Sequence, residues 1–198
     1  PRDTVYSLLF IDEYEDLIMR ATVDPETAVR LLQEEHQAIR QLIDALTPEQ
    51  MTRPDTIRHG LYPGQKCSFK DLLAHLICYE AYTLEALESW EAGEKHWITG
   101  AMRSPALGRE VHFGGIAQRA DQSLHMTIEE WQTTAAGLDA AIAGFDAESW
   151  RQPAPYEDSV ATDLGGMIEE IIVAPPRPLY RHLPVHIPDA DAYIRSLT

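Results

Sequence analysis

Apolar residues recur at helical spacing through most of this chain, and no convincing run of strand-like alternation bounded by turns interrupts them, which predicts an almost wholly α-helical fold. The sharpest start is Asp24-Pro25-Glu26. Asp24 suits a cap, Pro25 the first helical position, and Glu26 the positive end of the helix dipole. Ala28, Leu31, Leu32, Ile39, Leu42, Ile43 and Leu46 then form one apolar stripe, so this helix should stop near Thr47-Pro48. Ser68, with Asp71 three residues on, caps a second helix that carries Leu72, Leu76, Tyr79, Thr83, Ala86 and Trp90 and ends before Gly93. A third spans about Gly115 to Gly144 with a break near Ser123 to Thr127. Asp163 caps a fourth through Leu164, Met167, Ile168, Ile171 and Ile172, after which Pro175, Pro176 and Pro178 interrupt the pattern and the chain closes with Tyr180 to Leu197. An additional helix is expected over about Thr4 to Arg20, ahead of the bundle. The stretches Thr52 to Cys67 and Gly93 to Gly115, rich in Gly and Pro, read as long loops of the kind that border sites.

These elements predict an all-α, up-down four-helix bundle with an additional N-terminal helix. A length of 198 residues suits a single domain, the extra helix within 1–22 and the bundle within 23–198. The extra helix has an apolar face of its own, and a homodimer packed on it is expected. With 32 Asp and Glu against 16 Lys and Arg, a net charge of −16 repels phosphate backbones and anionic lipid. Nucleic acid and membrane are therefore not the expected partners. No apolar run approaches the roughly 20 residues of a membrane span, and Pro1-Arg2-Asp3-Thr4 is not a basic segment leading into an apolar one, so a cytoplasmic protein is expected. Cys67 and Cys78 are too few for a disulfide framework and read as reduced thiols.

The chemistry-bearing pattern lies in the histidines. His75 falls in the second turn of the Ser68-capped helix, and His182 and His186 stand four apart near the end of the chain. Neutral imidazole is the commonest metal ligand, and residues four apart on a helix share a face, so two antiparallel helices can present three nitrogens to one cation. Alone, each signal is modest, because a single helical histidine is more often a hydrogen-bonded core residue than a ligand. Pro184 and Pro188 bracket His186, and an interior proline costs about 3 kcal/mol, so a bend is predicted there. His36, in Glu34-Glu35-His36, raises the alternative of a hemerythrin-like di-iron bundle, but Tyr79 stands four residues after His75 where a carboxylate is needed. His59, His96, His112 and His125 fall in loops or near helix ends and read as structural. Trp97 lies in a loop able to cover a pocket.

The run Ser68-Phe69-Lys70-Asp71-Leu72-Leu73-Ala74-His75-Leu76, followed by Tyr79-Glu80, resembles the second helix of the DinB/YfiT-like four-helix bundles, and within them the ClbS/DfsB group. Tyr180-Arg181-His182-Leu183-Pro184-Val185-His186-Ile187-Pro188-Asp189 is similar to the closing helix of that group, and Gly165-Gly166-Met167-Ile168 to the start of the same helix. The likeness runs from about Thr22 to Leu197 and is specific in the first two stretches. It implies a divalent metal (Zn, Ni, Fe or Mn) held by His75, His182 and His186 at one end of the bundle, beside a cleft.

The function this implies is that of a metal-dependent hydrolase or thiol transferase acting on a small electrophilic molecule. Tyr79, Glu80 and Glu169, with Glu170, are the side chains placed to orient a ligand or move a proton, although on so acidic a chain most carboxylates are solvated. The alternative is a non-catalytic bundle that binds a small hydrophobic ligand or a protein partner and carries a vestigial or structural metal site.

Overall fold

The computed structural model describes residues 20–59, 62–101, 104–157, 163–173 and 187–197. The residues expected to form the extra helix before Arg20, and the dimer face with them, lie outside the described residues. The expected capping residues start the helices. Asp24 accepts the Thr27 N–H at 2.7 Å and opens α1 (Pro25–Ala45). Thr47 and Gln50 exchange bonds in a capping box that opens the short α2 (Pro48–Thr52). Ser68 and Asp71 do the same for α3 (Phe69–Glu91), Ser68 Oγ accepting the Asp71 N–H at 3.1 Å and Asp71 Oδ2 accepting the Ser68 N–H at 2.9 Å. Each such cap is worth roughly 1 kcal/mol. The predicted break also forms, with Ser123 capping α5 (Leu124–Ala143). After the single turn α6 (Ala147–Trp150), Asp163 accepts the Gly166 N–H at 2.8 Å at the head of α7 (Leu164–Val173).

The bundle is organised around α3, which packs against α5 and α7 while α1 lies on α5. Every residue from Leu72 to Glu80 is buried, so this half of α3 is enclosed on all sides rather than amphipathic. Two apolar clusters run along it. Leu72, Leu73, Leu76 and Ile77 meet Trp131 and Ile57 at one end, and Leu87 and Trp90 meet Ile142, Trp150 and Ile168 at the other. Each fully buried aliphatic or aromatic side chain contributes roughly 1.5–3 kcal/mol to that core. No helix among the described residues is long and apolar enough to cross a membrane.

Three segments depart from the sequence reading. The first expected loop contains an antiparallel hairpin of β1 (Ile57–His59) and β2 (Tyr62–Cys67), with Ile57 opposite Cys67. The strands are too short for periodicity to register, and the pairing is held by burial of Ile57 and Cys67, both facing the core. The second expected loop contains α4 (Pro105–Gln118), opened by Ser104 at the cap and Pro105 at the first position. Its glycines Gly108, Gly114 and Gly115 lower helix propensity and conceal it, and packing on α3 overrides that preference. The closing stretch forms α8 (Ile187–Arg195), so Pro188 falls in a first turn, where its missing N–H costs nothing. Tyr193 donates to the Gln50 carbonyl at 2.9 Å, and α8 packs on β1.

Gly115 is a close approach between helices. A Cβ there would lie 2.6 Å from both Cβ and Sγ of Cys78 on α3, whereas one on the neighbouring Gly114 would meet nothing within 4 Å. The two adjacent glycines should therefore respond in opposite senses. Gly115→Ala is expected to destabilise by about 1–3 kcal/mol through overpacking, and Gly114→Ala to stabilise by up to about 1 kcal/mol. Urea denaturation of the two variants checks both signs.

Candidate functional site

His75 sits 2% exposed on α3, enclosed where the helix has no solvent face. The close seat of Gly115 on Cys78 draws α4 onto α3 and sets His112, 3% exposed, against it. The two imidazole centroids are 4.0 Å apart with planes tilted by 49°. Tyr79, one turn further along α3, packs edge-on to the His75 ring at 4.9 Å. The wall thus contains two imidazoles and a phenol, all desolvated. Cys78 adjoins it, but burial pushes its thiol up to about 11, and its Sγ–H points to the Val111 carbonyl at 3.6 Å. It stays a neutral packing group rather than a nucleophile.

His182 and His186 lie outside the described residues. Among the described residues, no three His, Cys, Asp or Glu side chains are arranged to hold one metal ion. The donor chemistry of the α3–α4 wall nonetheless suits a divalent cation of borderline softness: imidazoles, buried, brought ring to ring by two different helices. Of the three expected ligands the structure describes His75, and it sets His112 beside it.

Glycine conceals the helix that carries His112, and the sequence signal that marks it is Ser104-Pro105, an N-cap followed by proline.

A second buried cluster lies behind this wall. His36 on α1 is 1% exposed, its Nε2 3.2 Å from Glu80 Oε1 on α3 and its Nδ1 3.1 Å from Asp139 Oδ1 on α5. Trp131 packs edge-on to the His36 ring at 6.1 Å. Burial pulls the His36 pKa down, but the two flanking carboxylates outweigh it and lift the value to about 9. Burial also raises the Glu80 carboxyl, and the bond to His36 and its charge draw it partly back. The ring nitrogens point to different carboxylates on opposite sides, which is the geometry of a bridging ion pair and not of a shared metal. The sequence offered His36 and Glu80 separately, and only the packing of three helices joins them with Asp139.

The other acidic candidates hold the scaffold. Glu169 accepts both the backbone N–H and the hydroxyl of Thr22, at 3.0 and 2.7 Å, while Asp163 accepts the Ala21 N–H at 2.7 Å. Burial raises the Glu169 carboxyl, and the Thr22 donors oppose that. Glu170, fully buried, accepts the Gly100 N–H on both oxygens at 3.1 and 3.2 Å and fixes the turn that follows Trp97, itself 55% exposed.

The DinB superfamily profile matches residues 31–173. No curated protein matches the chain. Among solved structures, an uncharacterised protein from Escherichia coli UTI89 superposes with a TM-score of 0.61 at 15% identity, over 87% of this chain and 91% of the other. The colibactin self-resistance protein ClbS, solved in complex with a double-stranded DNA, gives 0.59 at 15% identity, over 87% and 90%. At that identity the likeness speaks for the fold.

The His36 cluster makes stability depend on pH. An imidazole raised from 6.5 to about 9 contributes stability that is fully present below pH 6.5 and is lost as pH rises through about 9. The raised Glu80 carboxyl works in the same sense at lower pH, costing stability once its charged form must be buried. Unfolding free energy should fall by roughly 2–3 kcal/mol between pH 6.5 and 9.5. His36→Gln should flatten the fall, as read from urea midpoints at the two pH values.

Proposed function

The chain belongs to the DinB superfamily, and we propose that it is a divalent-metal-dependent hydrolase or thiol transferase of the ClbS-like kind, acting on a small electrophilic molecule. The observation that carries this reading is the buried pair of imidazoles on the α3–α4 wall, His75 and His112, ring to ring at 4.0 Å. Placement of the closing segment supports it. Ile187, directly after His186, begins α8, which packs on β1, and the paired β2 leads through Ser68 into α3 less than three turns before His75.

In this reading His75, His182 and His186 hold the cation. A divalent metal on neutral imidazoles with positions left open supplies Lewis acidity, lowering the pKa of a water toward about 7 or that of a thiol. The chain's own side chains set the frame. Tyr79 fixes the orientation of the His75 ring, and His112 narrows the space beside it. A thiol co-reactant would come from solution, because Cys78 is held protonated by burial. Specificity would fall to Trp97 and the turn that Glu170 secures. The duplex in the ClbS structure is that protein's ligand. A net charge of −16 here opposes a phosphate backbone.

A second reading rests on a different feature. A cleft of about 330 Å³ lies near the C-terminal end of α3, lined by Leu87, Trp90, Phe145, Pro155 and Leu164 together with the polar Glu91 and Gln152. Its size is at the lower bound for small-ligand pockets. It favours a non-catalytic bundle that binds a small hydrophobic molecule.

Metal analysis separates the two. The purified full chain should hold close to one equivalent of Zn, Ni, Fe or Mn. Metal added at about 100 times its dissociation constant should raise Tm by roughly 5–10 °C. His75→Ala should abolish that increment and His112→Ala reduce it. No bound metal and no increment in the wild-type protein would overturn the metal-enzyme reading.

A further inference from the structure

The cleft near the C-terminal end of α3 stands apart from the histidine wall. Trp90, which lines it, follows His75 by 15 residues on one helix, a rise of about 22 Å. A volume of about 330 Å³ suits a small molecule. Its walls are tied to the core. Trp90 packs edge-on to Tyr156 at 5.5 Å, and Phe145 lies 6.2 Å from the Trp150 ring. The Gln152 carbonyl accepts the Leu164 N–H at 3.1 Å, which joins the exit of α6 to the start of α7. Among the described residues on the lining one carries a formal charge, Glu91, and none is Lys or Arg.

Glu91 is set against its own helix. It is the last residue of α3, where the helix dipole is negative, and the last turn of α3 holds no basic residue. The side chain is exposed, and a Cβ on Gly93, the next lining residue, would meet nothing within 4 Å, so the rim beside it is open. An uncompensated carboxylate at the carbonyl end of a helix, beside an apolar and aromatic lining, complements one chemistry. We propose that this cleft binds a small organic cation, a protonated amine on an apolar body, with the body against Trp90, Phe145 and Leu164 and the ammonium head at Glu91. The inference rests on the cleft of the second reading, needs no metal, and adds the class of ligand. The aromatic rings attract a cation as well as apolar surface. Gln152, the other polar residue on the lining, is neutral and its amide oxygen can accept from an ammonium. An anionic head would instead meet Glu91, the negative end of α3 and a chain of net charge −16.

The test uses probes that share one body and differ in the head: 4-phenylbutylamine, 4-phenylbutanol and 4-phenylbutyrate. Each is titrated into the full chain at pH 7 and low ionic strength and followed by ¹H–¹⁵N NMR. Resonances of Leu87, Trp90, Gln152 and Leu164 should shift, and the amine should bind roughly 5–10-fold more tightly than the butyrate, with the alcohol between them. Added salt should narrow that gap. Glu91→Gln, at an exposed position, should bring the amine within about 2-fold of the alcohol. Glu88→Gln removes the same charge about one turn earlier, outside the lining, and should leave the preference in place. An amine preference untouched by Glu91→Gln, or equal affinity for the three probes, overturns the cation assignment and leaves the apolar cleft of the second reading standing. Shifts confined to other parts of the molecule, or none with any probe, overturn both.

Discussion

The enclosure of α3 is the constraint on which the rest of the molecule depends. From Leu72 to Glu80 the helix has no face toward water, yet this stretch carries His75 and Glu80. A buried carboxylate without a partner costs several kcal/mol, enough to consume much of a domain's net stability. The bundle meets that demand by bringing His36 from α1 to one Glu80 oxygen and Asp139 from α5 to the far side of the same ring. The three helices are thereby fixed in relative rotation as well as distance, since a slip of one residue would present a neighbouring side chain to the wrong partner.

The site follows from the same enclosure. α4 can cover the remaining flank of α3 only where its backbone comes close, and Gly115 against Cys78 is that place. His112 then falls on His75 because it lies on the buried face of α4, one turn before the glycine. At the other end of the chain the segment from Ala21 to Val23 is stitched by Asp163, Glu169 and the Trp150 indole, which donates to the Val23 carbonyl at 2.8 Å. The acidic residues of α7 are thus committed to holding the scaffold, and the wall of the site is left to rings.

Much of this was legible in sequence, where local chemistry decides local structure. Asp24, Ser68 and Asp163 each act through a bond to the third residue on, and each starts a helix where the pattern placed it, while Ser123 caps α5 at the expected break. The hairpin and α4 were not legible for the opposite reason: both run against local preference, and tertiary burial of Ile57 and the packing of Val111 and His112 decide them. Of the candidate site, His75 could be placed on its helix from spacing alone. Its partner His112, 37 positions along the chain, depends on a helix that glycine conceals. The His36 cluster joins three residues that share no spacing at all, and nothing short of the packed bundle brings them together.

The two buried histidines on either side of Tyr79 show how surroundings assign roles to the same side chain. His36 lies between two carboxylates, so it is held as a cation and both ring nitrogens are engaged; it has no lone pair to offer a metal at neutral pH. His75 lies among rings, against Tyr79 and His112, where dispersion and edge-to-face contact hold it without demanding charge. An imidazole paired with carboxylates on both sides is bound into the scaffold, whereas one packed among rings is held by their faces and edges. Within two turns α3 sets His75 against Tyr79 and α4's His112, and turns Glu80 toward His36 of α1. Surroundings, rather than residue type, therefore set the two histidines apart.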